Sequence, residues 1–468
     1  MQIVRSYLLR LACCLLACAV WPSAATAANR APGESSWSSP QPPARWKLAV
    51  SPALRLSRMD YREMEIARLL GLQRRNEAAG IKATQIGIAR RASREGKQSQ
   101  LPALKWVALA HGGAVARIEV RSRDALALRV GLQVIQLHDR VELRIGGSDA
   151  PSRVVATLHG SEVKRLLDPQ GMFWTPSTDG ETQVIEIFRP AGVPAQAAQL
   201  QAPQVSHLVS NSRNDFKIIE KVGESGACNV DTSCRVPELG QHFVNAKNAV
   251  AHMQFVQGGS TYICTGTLLA DTAASTQVPY FYTANHCFAD SGTPVPSQMQ
   301  AVANTLNTFW NYESTACNSG ASTARTQLGG GATYLYSDNV TDAMLLRLND
   351  AAPAGAFFAG WTAAPLPASS AVLALHHPAG DSKKVSSGRH VSTDASDHVV
   401  GWTSGTTEGG SSGSGLFTLS SAGYELRGGL YGGSASCLNS GSLGHASNRD
   451  YYSRFDVVLP RIRDYLAS

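Results

Sequence analysis

The chain has 468 residues, a formal charge of +7 at pH 7 and nine cysteines. At roughly 100–200 residues per domain, that length holds two or three domains. Beyond the N-terminus no stretch reaches the ~18 consecutive apolar residues of a membrane-spanning helix, which excludes a helical membrane protein.

Residues 1–27 combine Arg5 and Arg10, an apolar run from Leu11 to Val20 and the small-residue ending Ala25-Thr26-Ala27. That is the pattern of a secretory signal with its cleavage site, and it predicts an exported protein that keeps no membrane anchor. An acylation site at Cys18 competes with this reading, but a full cleavage site follows it. Cys13, Cys14 and Cys18 leave with the signal, so six cysteines remain: Cys228, Cys234, Cys264, Cys287, Cys317 and Cys437. An even set in an oxidising compartment reads as three disulfides, with 15 pairings open. No C-x-x-C spacing favours a metal, and neither metal nor cofactor is expected.

Residues 28–45 are Pro/Ser-rich and read as a disordered lead. The stretch YREMEIARLLGLQRRNEAAG has the charge density of an exposed helix. From about 105 to 190, apolar and charged residues alternate as in half-buried antiparallel strands. Residues 192–212 lose that period and read as a linker. From Val222 the composition shifts to Gly, Ser, Thr and Ala, with short apolar runs between turn residues, which predicts an all-β barrel or sandwich. Only the end looks helical, with Leu459, Ile462 and Leu466 on one face.

Charge divides at the same place. Val222 onward holds 12 Lys+Arg against 17 Asp+Glu, while the preceding residues hold 30 against 18. Basic residues can bind nucleic acid, but mutual attraction of the two halves is the simpler expectation, and no nucleic-acid partner is predicted.

The second half contains a candidate for each part of a serine nucleophile site, in the order His, Asp, Ser. Serine attack needs a base, a carboxylate to orient it, and N–H donors at the developing oxyanion. His286, in YFYTANHC, follows an apolar strand and precedes a cysteine. Asp342 stands just before the strand AMLLRL. The stretch TEGGSSGSGLF offers Ser411, Ser412 and Ser414. Ser412 has glycines at Gly410 and Gly413, which free the N–H groups of Gly410 and Ser412 to point inward. A flexible Gly/Ser linker would not resume at once with an apolar strand.

These motifs (TYICTGTLL, TANHC, FWNYESTAC, DAMLLRL, LHHPAGDSKK, TEGGSSGSGLF and LRGGLYGG) resemble the lysyl endopeptidases, bacterial trypsin-like serine proteases. The protease IV branch is the nearest, and the resemblance extends over nearly all of 223–468. It implies an all-β, chymotrypsin-like double antiparallel barrel with a C-terminal helix, preceded by a strand-rich α+β propeptide. The triad it implies is His286, Asp342 and Ser412, and the disulfides Cys228–Cys437, Cys234–Cys317 and Cys264–Cys287. It places the carboxylate of the lysine pocket at Asp450, in Asp450-Tyr451-Tyr452-Ser453-Arg454. Glu408 is a second candidate acid, and Tyr431 and Gly432 line the substrate. Some members carry histidine at Tyr431, which bears on the strictness of lysine over arginine.

The expected organisation is a signal at 1–27, a propeptide at 28–221 and a protease domain at 222–468. The propeptide would chaperone folding and block the cleft until self-cleavage after Lys221, with Lys217 as the neighbouring choice. The expected product is a secreted monomer, exported through the periplasm, that cuts protein and peptide substrates after lysine. Two rivals remain open: an inactive trypsin-like binding module, and a metal hydrolase using His376, His377 and Asp381.

Overall fold

A computed structural model describes residues 28–48, 56–77, 83–213, 223–273, 275–289 and 293–467. The expected signal segment, Lys217 and Lys221 lie outside these described residues.

The N-terminal half is built on two antiparallel sheets. Helix α1 (Ile66–Glu77) precedes β1 (Thr84–Gln85) and β2 (Gly87–Arg91). There follow β3 (Ala114–Ser122), β4 (Ala127–Leu137), β5 (Glu142–Gly147), β6 (Thr182–Arg189) and β7 (Ala198–Leu208). One sheet runs β5–β6–β3, with Ser57–Tyr61 added parallel to β3. The other runs β4–β7–β2. Alternation along these strands buries Ile118, Val120, Val130, Leu132, Leu143, Ile145, Ile185 and Ile187 in one core. Beside it lies a buried ion pair, Arg117 Nη2 to Glu186 Oε2 at 2.7 Å, and Glu186 also accepts the Lys47 N–H at 2.7 Å.

Two expectations change here. The linker at 192–212 is largely strand β7, an interior strand of its sheet. Its register against β4 shifts between Gln201 and Gln204, across Pro203, which cannot donate to a ladder. That irregularity hides the period of two. The disordered lead is also partly ordered. Arg30–Ala31 pairs with Gly360–Thr362 and Glu34–Ser35 with Phe357–Phe358, while residues 36–46 have no regular structure.

The second half begins with α2 (Thr232–Asn248), which composition did not reveal. Pro237 and a non-helical Gly240 (φ 66°) break it into two short helices, so no long apolar period is visible. Strands β8 (Val250–Gln257), β9 (Ser260–Leu269), β10 (Tyr280–Ala284) and β11 (Ala343–Leu348) form the centre of an open, half-barrel sheet. A second sheet contains β12 (Ala371–His376), β13 (Lys384–Thr393), β14 (Asp397–Ser404), β15 (Gly415–Ser420), β16 (Gly423–Gly433) and β17 (Asp450–Ser453). The order β16–β15–β12–β13–β14–β17 closes because β16 also pairs with β17. The result is a closed six-stranded barrel beside a half-barrel, the all-β chymotrypsin-like arrangement. Helix α3 (Phe455–Leu466) seals the seam, burying Phe455, Val458, Leu459, Ile462 and Leu466 against both sheets.

Direct bridges between the oppositely charged halves are few among the described residues. Among the described residues a single ion pair joins them, Arg30 to Glu425. The contact is instead apolar and hydrogen-bonded: Met172 and Trp174 pack on Val256, and Ile86 and Ile88 on Ile263. Arg129 Nη2 donates to the Thr305 carbonyl at 2.5 Å.

Removing one partner of the Arg117–Glu186 pair leaves an uncompensated buried charge. In urea unfolding of a Ser412→Ala chain, Arg117→Ala is expected to cost roughly 3–5 kcal/mol; no change would contradict the burial.

Candidate active site

The turn Asn285–Cys287 leaves β10 carrying His286, and pairing of Ala284 with Ala343 sets it against Asp342 at the head of β11. Asp342 grips this turn three times. Its carbonyl accepts the Asn285 N–H at 2.8 Å, Oδ1 accepts the His286 N–H at 2.8 Å, and Oδ2 faces His286 Nδ1 at 2.6 Å. The backbone at Asp342 is left-handed (φ 55°), which is sparsely populated for a non-glycine residue. The three contacts hold it there. A disulfide between Cys287 and Cys264 ties the same turn to β9.

The stretch TEGGSSGSGLF is a tight turn that feeds β15. Thr265 on β9 donates its N–H to the Ser412 carbonyl at 2.8 Å, and Gly413 donates to the Leu430 carbonyl at 2.8 Å. Gly410 and Gly413 both have positive φ, 91° and 79°, where glycine is favoured. A side chain at Gly413 would also collide with Thr283 Oγ1. Neither the Gly410 nor the Ser412 N–H meets an acceptor among the described residues.

The three serines separate by their partners. Ser412 Oγ lies 2.7 Å from His286 Nε2. Because Asp342 accepts from Nδ1–H, Nε2 is left to accept from the serine hydroxyl. Ser411 belongs to another chain of bonds: the Glu408 N–H donates to Ser411 Oγ, which faces His376 Nδ1 at 2.8 Å, while His376 Nε2 faces Ser386 Oγ at 2.9 Å. Ser386 in turn donates to the Thr406 carbonyl at 2.8 Å. His376 therefore props the turn from beneath. Ser412 is wholly buried, and His286 and Asp342 are each 7% exposed, so the triple sits largely out of water. That strengthens its electrostatic interactions.

Asp450 is wholly buried on β17, opposite Val400 of β14 and Gly433 of β16. Its Oδ2 accepts from Trp402 Nε1 at 2.7 Å and Thr407 Oγ1 at 2.6 Å. Sequence reasoning singled out neither donor, although Thr407 adjoins the serine turn. Tyr431 is half exposed, with its ring 5.9 Å from that of His286, and Gly432 stands opposite Tyr451.

Glu408, four residues before Ser412, has partners of its own. Its carboxylate accepts from the Gly226 N–H at 3.0 Å and from Asn229 Nδ2 at 2.7 Å, so it pins that turn. The Cys228–Cys437 disulfide fastens the same turn, and Cys234–Cys317 is the third bridge. The proposed chelating pair also diverges. His377 stacks on Tyr312 (5.4 Å, interplanar 1°) and its Nδ1 faces the Asp381 carbonyl, while His376 serves the two serines. Burial holds the His377 imidazole well below its ordinary pKa, hence uncharged. Among the described residues no three His, Cys, Asp or Glu side chains converge as metal ligands.

Fold and site together define a trypsin-like serine endopeptidase. Residues 222–453 match the family described as lysyl endopeptidase, C-terminal domain, and residues 60–209 match the lysyl endopeptidase N-terminal domain. A lysyl endopeptidase of Pseudomonas aeruginosa strain PAO1 is 35% identical over 383 residues, covering 78% of each chain. The Rv3671c protease of M. tuberculosis in its active form aligns at 13% identity over 50% of this chain and 87% of its own, with a TM-score of 0.34. Its Ser343Ala mutant, an inactive form, gives 13%, 49%, 92% and 0.31 in the same order. The chain belongs to the lysyl endopeptidase family.

The His376 chain generates a stability prediction. Ser411→Ala leaves His376 Nδ1 and the Glu408 N–H without this partner, at a cost of about 1–3 kcal/mol. Urea unfolding in a Ser412→Ala background measures it; an unchanged midpoint would refute the role of Ser411.

Proposed function

We propose that the protein is a secreted endopeptidase that cleaves after lysine, made as a zymogen with residues 28–221 as its propeptide. The observation that carries this reading is the hydrogen-bonded line from Ser412 Oγ through His286 to Asp342, 2.7 and 2.6 Å long.

In this reading His286 Nε2 takes the proton of Ser412 as its oxygen attacks the carbonyl after a lysine. Asp342 fixes the imidazole tautomer and stabilises the imidazolium. The Gly410 and Ser412 N–H groups receive the oxyanion, and His286 then passes its proton to the departing amine. Water hydrolyses the acyl-serine by the same steps in reverse. Asp450, braced by Trp402 and Thr407, supplies the negative charge for the substrate ammonium, with Tyr431 and Gly432 beside the bound chain. A lysine ammonium is a compact point charge with three donors, and a buried carboxylate matches it without the wide fork that arginine requires.

Maturation would follow self-cleavage after Lys221, and the strand-rich half would both assist folding and cover the site beforehand. Three disulfides fit an oxidising destination outside the cytoplasm. The matured enzyme is read as a monomer.

Mass-spectrometric mapping of cuts in peptide pairs differing only by Lys or Arg tests the specificity. Cuts after Lys alone support the reading, equal cuts indicate a broader trypsin-like enzyme, and no cuts favour a binding module. Asp342→Asn is expected to lower kcat by about ten-thousand-fold through the wrong imidazole tautomer; an effect under tenfold would remove Asp342 from the triad. Purified Ser412→Ala should accumulate unprocessed chain, and normal processing of that variant would sink self-cleavage.

A further inference from the structure

The motif LHHPAGDSKK has no part in the mechanism above, yet its loop lies directly against the serine turn. Residues 377–383 connect β12 to β13. Within them the Ala379 N–H donates to the Gly409 carbonyl at 2.5 Å. Loop and turn are so close that a side chain at Gly410 would come within 2.9 Å of the His377 carbonyl oxygen. Thr265 joins the two as well: its Oγ1 donates to the Gly410 carbonyl at 2.9 Å and accepts the His377 N–H at 3.2 Å.

The bond from Ala379 has a directional consequence. In a trans peptide the C=O and the following N–H point in opposite directions across one plane. Holding the Gly409 carbonyl toward Ala379 turns the Gly410 N–H away from the loop, where it meets no acceptor among the described residues. That N–H is one of the two oxyanion donors in the reading above. Both residues flanking this peptide are glycines, so rotation of its plane meets little steric resistance. The direction of the donor therefore depends on what holds Ala379. Ala379 is itself left-handed (φ 55°), a conformation that a non-glycine residue keeps only where its surroundings enforce it.

The enforcing contacts come from the first described residues of the protease half. Gly223 donates its N–H to the Ala379 carbonyl at 2.6 Å. Ser225 donates twice to Asp381 Oδ2, from its N–H at 3.1 Å and from its hydroxyl at 2.8 Å. Lys384 Nζ lies 3.3 Å from the same oxygen, and Asp381 Oδ1 accepts the Ser382 N–H at 2.6 Å. Tyr312 adds its hydroxyl, which donates to the Gly380 carbonyl at 3.1 Å. Farther along, Gly226 and Asn229 donate to the Glu408 carboxylate, and the Glu408 carbonyl accepts the Ser411 N–H at 3.0 Å. Residues 223–229 thus grip the serine turn at two points, through the Ala379–Asp381 loop and through Glu408.

We propose that Asp381 and Ser225 are positioning residues for the oxyanion donor at Gly410, acting through the Ala379 N–H. The inference rests on the protease reading above and deepens it. Neither side chain touches the reacting atoms. The substrate carbonyl gains its negative charge only as Ser412 attacks, so a misdirected N–H slows the chemical step and leaves binding of the lysine side chain intact.

The test compares matured wild-type enzyme with Asp381→Ala, Asp381→Asn and Ser225→Ala on one lysyl peptide, with two inhibitors alongside. A lysyl trifluoromethyl ketone adds to Ser412 as a tetrahedral oxyanion, whereas n-butylamine imitates the lysine side chain alone. Asp381→Ala should lower kcat roughly ten- to a hundredfold with KM within about twofold, short of the ~10²–10³ lost when an oxyanion donor is removed outright. Its affinity for the ketone should fall by the same factor, while butylamine binds as before. Ser225→Ala, which keeps the backbone donor, should show the same split with a smaller loss. Asp381→Asn, which keeps an acceptor for Ser225, should recover most of the rate. A variant that does not process itself is matured by tagged wild-type enzyme, which is then withdrawn. Unchanged kcat in folded Asp381→Ala, or equal weakening of ketone and amine, would overturn the assignment. Should Asp381→Ala fail to fold, Ser225→Ala decides by the same two criteria. A wild-type chain without lysyl-peptide activity would instead overturn the protease reading beneath.

Discussion

Everything in this molecule turns on one imidazole held between two sheets. His286 and Asp342 come from neighbouring strands of the half-barrel, whereas Ser412 comes from the turn that opens a strand of the closed barrel. A line of hydrogen bonds 2.6 and 2.7 Å long tolerates little sliding between these sheets. The remaining architecture resists such sliding. The Cys264–Cys287 bridge anchors the His286 turn to β9, and β9 itself donates from Thr265 to the Ser412 carbonyl. Helix α3 fills the seam between the sheets with five buried apolar side chains. Positional precision of this kind is what converts an ordinary hydroxyl into a nucleophile.

The same strand, β9, joins the serine turn to the N-terminal half. One of its edges supports Ser412, and its outer residues Thr261–Ile263 receive the strand from the N-terminal half. Burial of Ile263 beneath Ile86 and Ile88 makes that contact an extension of the core. Among the described residues a single ion pair, Arg30–Glu425, joins the halves. Their contact depends on shape and backbone pairing, which salt screens little.

Much of the site was legible because its chemistry is local. The glycines flanking Ser412, the cysteine after His286 and the strand after Asp342 each leave a mark within a few residues. Long-range partners leave none. Nothing near Glu408 in the sequence announces that its carboxylate will bind Gly226 and Asn229, some 180 residues away. Trp402 and Thr407 became visible beside Asp450 only once β14 and β17 were paired. Secondary structure failed where punctuation masked the period: Pro203 at the irregular register of β7, and Pro237 with Gly240 in α2. The lead segment failed differently. Its composition cannot support a core of its own, and Arg30–Ser35 is ordered by borrowing edges from the second half.

The central claim is that Ser412, alone among Ser411, Ser412 and Ser414, is the activated nucleophile. The most direct measurement is peptide mapping of the matured protein after reaction with a small fluorophosphonate, which labels only a serine activated by a base. The account predicts one adduct, on Ser412, that is absent when His286 is replaced by alanine. An adduct on Ser411 or Ser414, or labelling that survives loss of His286, would contradict it.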